Sequence, residues 1–204
     1  MDVIAWTLSA FVSGSIPFSV LVGRLAGRGD IRQYGDHNPG ATNVLRAAGV
    51  GWFALALLLD VLKGALPVGL AWLGGGLEGW RIVPVALAAL VGHGWSPWLG
   101  GRGGKMVATT FGIWAGLTLG AGPIVLGCLL GLMYGVLSGS AWATSLSVLT
   151  FGGFVGWVYA DYRPELLAVW LGNLALVAWR HRAELRHPPQ VRARWLHALG
   201  RIGR

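Results

Sequence analysis

Charge is scarce in this sequence. Lys, Arg, Asp and Glu make up only 12% of the 204 residues, against roughly 25% in a typical soluble domain, so a water-facing surface of this size is excluded. Cys128 stands alone, which rules out a disulfide-stapled secreted scaffold. No sustained heptad or Gly-X-Y period is present, and this removes coiled coil and collagen. The acids, at positions 2, 30, 36, 60, 78, 161, 165 and 184, are scattered, without the aspartate cluster of a metal-dependent phosphoalcohol transferase. Ser138 follows Val136–Leu137 and lacks the Gly-x-Ser-Gly setting of a rhomboid-type nucleophile.

What is present is apolar. Hydrophobic residues form 54% of the chain and the mean hydropathy is +0.60. A bilayer core about 30 Å thick takes roughly 20 apolar residues per helix. Such runs fall at 3–23, 51–73, 82–99, 106–121, 123–137, 141–159 and 164–180. The boundary at 120–123 rests on Gly and Pro as helix breakers. With no basic residue before Arg24, the first run does not read as a cleavable signal.

Charge distribution selects seven spans over six. With the N-terminus outside, the inner segments hold Arg24, Arg28, Arg32 and Arg46, then Arg102 and Lys105, then the arginine-rich tail from Arg180 to Arg204. Only Arg81 and Arg163 fall outside, with Lys63 inside a span. The positive-inside rule therefore predicts an all-α membrane protein of seven transmembrane helices, N-terminus out and C-terminus cytoplasmic. Residues 1–185 form the transmembrane domain and 186–204 a basic tail. In the tail Val191, Trp195, Leu199 and Ile202 share one helical stripe, as in an amphipathic helix lying on the inner leaflet. The 34 glycines exceed the usual ~7%; Gly127, Gly131 and Gly135 form a small-residue ladder read as tight helix packing.

Polar residues gather in three stretches on the inner side. IRQYGDHNPGATNVLR (31–46) offers the amides of Asn38 and Asn43, the Thr42 hydroxyl, Arg46 and a glycine-bearing backbone as an anion cradle; an ordinary capped loop is the alternative. GHGWSPWLGGRGGKMVATTFG (92–112) sets Arg102 and Lys105 in a glycine-rich turn before a helix, a natural phosphate site. It is not a Walker A loop, since Leu99 and Met106 occupy positions where that motif needs Gly and Ser or Thr. His93 reads as a base or a structural histidine. WRHRAELRH (179–187) follows the last span. Asp60 and Lys63, at i and i+3 within a span, form an intramembrane ionisable pair, functional or structural.

These residues carry a resemblance. GSIPFSVLVGRL (14–25), NPGATNVLR (38–46), LLLDVLKG (57–64), GH…P (92–97), GGK-VAT (103–109) and HR (181–182) are similar, in order and spacing, to the bacterial integral-membrane acyl-phosphate:glycerol-3-phosphate acyltransferases. The resemblance implies a multi-pass enzyme of the bacterial cytoplasmic (inner) membrane with a cytosol-facing site. It would move a fatty acyl group from acyl phosphate to the 1-hydroxyl of glycerol 3-phosphate, giving lysophosphatidic acid and phosphate. No cofactor, metal or nucleic acid is expected. Arg46, Lys63, Lys105 and Arg182 are the expected phosphate cations, with Asn38, Gly40, Thr42, Asn43, Gly103 and Gly104 binding phosphate. His181 is the candidate base beside the catalytic Arg46 and Lys105. Three departures stand out. Asp36 and His37 replace the family's Ser-Gly, Met106 replaces the last glycine of Gly-Gly-Lys-Gly, and Glu184–Leu185 replace Asn-Ile. A relative that binds phosphorylated lipids without turnover, or a small-anion transporter, is the alternative.

Overall fold

Proline and glycine set the helix boundaries. The computed structural model describes residues 2–192, and apart from one bridge pair these are helices and connecting turns. The first apolar segment is two helices, α1 (Val3–Ser15) and α2 (Phe18–Leu25), parted at Ile16–Pro17. Proline has no N–H to continue the ladder. α3 (Ala41–Ala48) is short, and α4 (Val50–Gly69) ends in a wide turn over Leu70–Gly74. α5 (Ile82–Gly94) stops earlier than the hydropathy predicts. Pro97 starts a 3₁₀ turn there, and Gly100 and Gly101 then turn left-handed.

α6 (Val107–Thr118) and α7 (Ala121–Val136) are separate helices, because Leu119 and Gly120 both take positive φ, 50° and 104°. Phe111 lies against Gly127, each eight residues from Leu119, so the two form an antiparallel hairpin. A single long helix over 106–137 is thereby excluded. α8 (Ser140–Tyr159), α9 (Glu165–Arg180) and the brief α10 (Arg182–Leu185) complete the described chain. Val3–Leu25, Val50–Gly74, Gly79–Leu99 and Ser140–Tyr159 are long and apolar enough to cross a membrane, while α6 and α7 are shorter apolar helices. Ile4, Leu8 and Val12, one α1 face, are exposed for contact with lipid.

Past α10 the chain turns back. Val191 pairs antiparallel with Leu137, Ser138 N–H donates to the Gln190 carbonyl, and the Arg192 guanidinium donates to the carbonyls of Tyr134 and Leu137. Val191 is thus extended, which removes it from the predicted tail stripe; Trp195, Leu199 and Ile202 lie outside the described residues.

Hydrocarbon solvates apolar side chains as well as a protein interior does, so helices in lipid associate by close backbone approach and polar contacts. α1 meets α5 this way: a Cβ on Gly14 would lie 2.1 Å from the Ala89 carbonyl oxygen, and one on Gly92 would lie 2.2 Å from that of Phe11. The Gly127–Gly131 part of the predicted ladder does not act so. Gly131 has open space beside it, and Gly127 meets only the edge of Phe111.

The polar contact is the ion pair the spacing predicts. Lys63 Nζ sits 2.7 Å from Asp60 Oδ1, both side chains 2% exposed. Lys63 also donates to the Ile16 carbonyl, at 2.9 Å, beside the Pro17 break. Ser19 Oγ donates to Asp60 Oδ2, and Ser13 Oγ to the Lys63 carbonyl. The pair therefore fastens α1 and α2 to α4. Lys63→Met should leave Asp60 charged, buried and unpaired, lowering stability by about 3–5 kcal/mol in thermal unfolding of the detergent-solubilised protein. Adding Asp60→Asn should recover part of the loss. A single variant no worse than the double would show that the pair does not fasten these helices.

Candidate active site

One cavity of about 650 Å³ collects residues from segments far apart in the chain. Its polar lining comes from Asp36, Asn38, Thr42 and Arg46, then Asp60, His93, Lys105 and His181. Phe53, Leu57 and Val61 of α4, Val107, Ala108 and Phe111 of α6, and Leu130 and Tyr134 of α7 make the rest largely apolar. Gly40 and Ala41 at the start of α3, together with Met106, Ser138, Ser140 and Thr144, complete the wall. Of the residues predicted from sequence, Asn38, Gly40, Thr42, Arg46, Lys105 and His181 share this cavity; Asn43, Lys63, Gly103, Gly104 and Arg182 stand outside its lining.

Asn43 organises the loop before α3. It is 1% exposed, and its amide donates to Asp36 Oδ1 at 3.0 Å and to the Asn38 carbonyl at 2.8 Å, while its Oδ1 accepts from Arg46 at 2.7 Å. Gly35 is required beside it: φ is +57°, and a Cβ would fall 1.9 Å from the Arg46 guanidinium. Asn43 thus positions three cavity residues without lining the cavity itself.

The glycine-rich turn works differently from a free amide cradle. Gly103 N–H donates to the Gly94 carbonyl and Gly104 N–H to that of His93, so both amides are already satisfied. Their carbonyls accept from Arg180, at 2.6 Å to Gly103 and 3.2 Å to Gly104. The turn is a bracket that holds Lys105. Met106, next along, takes a left-handed backbone, φ +66°, with its side chain buried against Gly94. Such a backbone is one glycine adopts freely, which accounts for glycine there in the pattern the chain resembles.

Lys105 Nζ lies 2.9 Å from Asp36 Oδ2 and 2.7 Å from Glu184 Oε1. The Arg46 guanidinium is 3.7 Å from Asp36. Two of the three departures therefore meet on one ammonium. Burial opposes the charge of Asp36, but hydrogen bonds from Lys105, Asn38 and Asn43 outweigh it and hold its pKa below the usual value. Burial likewise opposes the Lys105 charge, and the carboxylates of Glu184 and Asp36 overcome it and raise its pKa. Asp36 so contributes stability above its unfolded pKa of about 3.9, lost as pH falls through its lower folded value. The Lys105 contribution is present below about pH 10.4 and is lost as pH rises through its higher folded value. The cluster is intact across the neutral range.

His181 is 1% exposed. Its Nδ1 is 2.9 Å from the Val177 carbonyl. A carbonyl only accepts, so Nδ1 carries the proton and Nε2 presents a lone pair. That Nε2 is buried with no hydrogen-bond partner among the described residues. Burial, followed by the neighbouring Lys105 charge, pushes the imidazole pKa down against the opposing Val177 bond. Arg182, two residues from Arg180, instead turns outward over the Trp179 ring and donates to the Trp179 carbonyl. Sequence reasoning passed over Arg180 because an arginine at a helix end reads as a topology signal; only the chain crossing beneath it reveals its task.

Cations and an imidazole thus meet in one largely apolar cavity among apolar helices, the arrangement of an integral-membrane protein with a polar site. The sequence profile of the glycerol-3-phosphate acyltransferase family matches residues 4–188. The glycerol-3-phosphate acyltransferase of Paramagnetospirillum magneticum is 48% identical over 130 residues, 63% of this chain and 62% of that protein. That of Erythrobacter litoralis is 39% identical over 180 residues, 88% and 87% of the two chains. The crystal structure of PlsY (YgiH), an integral membrane glycerol 3-phosphate acyltransferase, has a TM-score of 0.80 to this chain in its glycerol 3-phosphate form, at 28% identity and 90% coverage of both chains. Its lysophosphatidic acid form gives 0.79 at 27% identity. The chain belongs to the glycerol-3-phosphate acyltransferase family.

Arg180→Met should release the bracket around Lys105 and lower kcat/KM for acyl transfer by about 10²-fold, the order expected of a misplacement near 1 Å. Arg180→Lys should restore only part, because an ammonium lacks the planar fork that spans two carbonyls. Full activity of the Met variant would show that Lys105 is held without it.

Proposed function

We propose that the chain transfers a fatty acyl group from acyl phosphate to the 1-hydroxyl of glycerol 3-phosphate, releasing lysophosphatidic acid and inorganic phosphate. The observation that carries this is the joint presence of Arg46, Lys105, Thr42 and His181 in one cavity whose remaining wall is largely apolar. Both substrates bear phosphate, and Arg46 with Lys105 supplies fixed positive charge for them. The first turn of α3, at Gly40 to Thr42, adds the positive end of a helix. The acyl chain lies along Leu57, Val107 and Phe111 between α4, α6 and α7.

Acyl phosphate is a mixed anhydride and needs no enzyme nucleophile. The hydroxyl oxygen forms a bond to the carbonyl carbon as the carbon–oxygen bond to phosphate breaks. His181 Nε2 takes the hydroxyl proton and passes it to the departing phosphate. Preorganised cations stabilise the charge that gathers on that phosphate, and holding the two substrates together removes much of the entropic barrier.

The same reading sets seven spans in the bacterial cytoplasmic membrane, N-terminus out and C-terminus in, supported by the basic residues that frame the cavity mouth.

Lys105→Met and Arg46→Met should each lower kcat by about 10²- to 10³-fold, measured as lysophosphatidic acid formed from acyl phosphate and glycerol 3-phosphate. Wild-type turnover in either would remove the cation from the mechanism. His181→Asn should cost about 10²- to 10⁴-fold. Because burial lowers the imidazole pKa, the acid limb of the kcat/KM profile should lie below about pH 6.5 and disappear in that variant. A limb unchanged by the substitution would assign the base elsewhere.

A further inference from the structure

Lys105 carries more negative partners than its charge requires. One ammonium faces two carboxylates, at 2.9 Å and 2.7 Å, in a cavity that receives a phosphate. The two carboxylates are not held alike. Asp36 has other partners, in the Asn43 amide at 3.0 Å, the Asn38 N–H at 3.4 Å and the Arg46 guanidinium at 3.7 Å. The Glu184 side chain has Lys105 as its one polar partner among the described residues, and it is 45% exposed on the four-residue α10.

A second cleft, about 290 Å³, is lined by Glu184 itself together with Ser138, Ser140 and His187. Ser138 and Ser140 also line the main cavity. Glu184 accordingly lines the second cleft while its carboxylate holds Lys105 of the main cavity, with room and hydrogen-bonding groups beside it. A phosphate near −2 outcompetes a single carboxylate for the same ammonium, since Coulomb attraction scales with charge.

We infer that Glu184 is an internal anionic ligand of Lys105 that the incoming phosphate displaces into the neighbouring cleft, so that Glu184 sets the affinity of the site for phosphate-bearing substrates. The inference rests on the reading of Lys105 as a phosphate ligand. Glu184 is a positioning residue and touches no reacting atom.

The test is calorimetric binding of inorganic phosphate and of glycerol 3-phosphate to the full chain in detergent. Glu184→Gln and Glu184→Ala should each tighten Kd by about two- to fivefold, the span of a partly exposed ion pair. The KM for glycerol 3-phosphate should fall in parallel. An unchanged or weaker Kd in both variants overturns the inference. Wild-type protein provides a second readout if the variants do not fold: phosphate should increase carbodiimide labelling of Glu184, followed by peptide mass, and constant or reduced labelling overturns it too. Lys105→Met separates the underlying reading, for phosphate binding as tight as wild type there would remove Lys105 as the ligand whatever Glu184 does.

Discussion

An ammonium group withdrawn from water must be matched by negative charge, and at Lys105 that requirement joins the whole inner face. Its partners come from the loop before α3 and from α10, nearly 150 residues apart. The groups behind it come from the end of α5 and from Arg180. No local segment could build this cluster, so it forms only when the helices have reached their places. The fold and the site are in this sense one assembly. The deeper Asp60–Lys63 pair does the same work for α1, α2 and α4, and Asp60 reaches the cavity wall as well.

The helices were legible because apolar runs and their breakers are local. The predicted runs match the observed helices to within a few residues except where a proline interrupts them: the run 3–23 is two helices parted at Ile16–Pro17, and α5 ends at Gly94, short of Pro97. The 106–137 ambiguity was decided by two left-handed residues, a backbone fact that Gly120 hints at and Leu119 does not. The loop of 31–46 stood out for its Asn, Thr and Arg in a glycine-bearing stretch, and Asn38, Thr42 and Arg46 do line the cavity.

Partners were less legible than places. Gly103 and Gly104 read as free amides, but glycine also serves where backbones touch, and a Cβ on Gly103 would stand 2.0 Å from the His93 carbonyl oxygen. Sequence gives no means of choosing between those uses. Arg180 ends α9 and Arg182 opens α10 across the break at His181, which separates them into a brace for the glycine turn and a surface side chain. Taken alone, a carboxylate at position 36 would repel phosphate. Together with Glu184 it is one of two counter-ions to a shared lysine, which only the folded chain brings into view.

The return of residues 188–192 onto Leu137 ties the segment after α10 to a cavity wall. Tyr134, Ser138 and Ser140 border the cavity, and the carbonyls and amides that fix this corner are met by Gln190 and Arg192. Residues 188–192 therefore act as a buttress. Shortening the chain before Pro188 would leave each cation and the imidazole in place while slackening the far side of the chamber. Loss of turnover in such a truncation would come from a change in the vessel's shape rather than from any missing reagent.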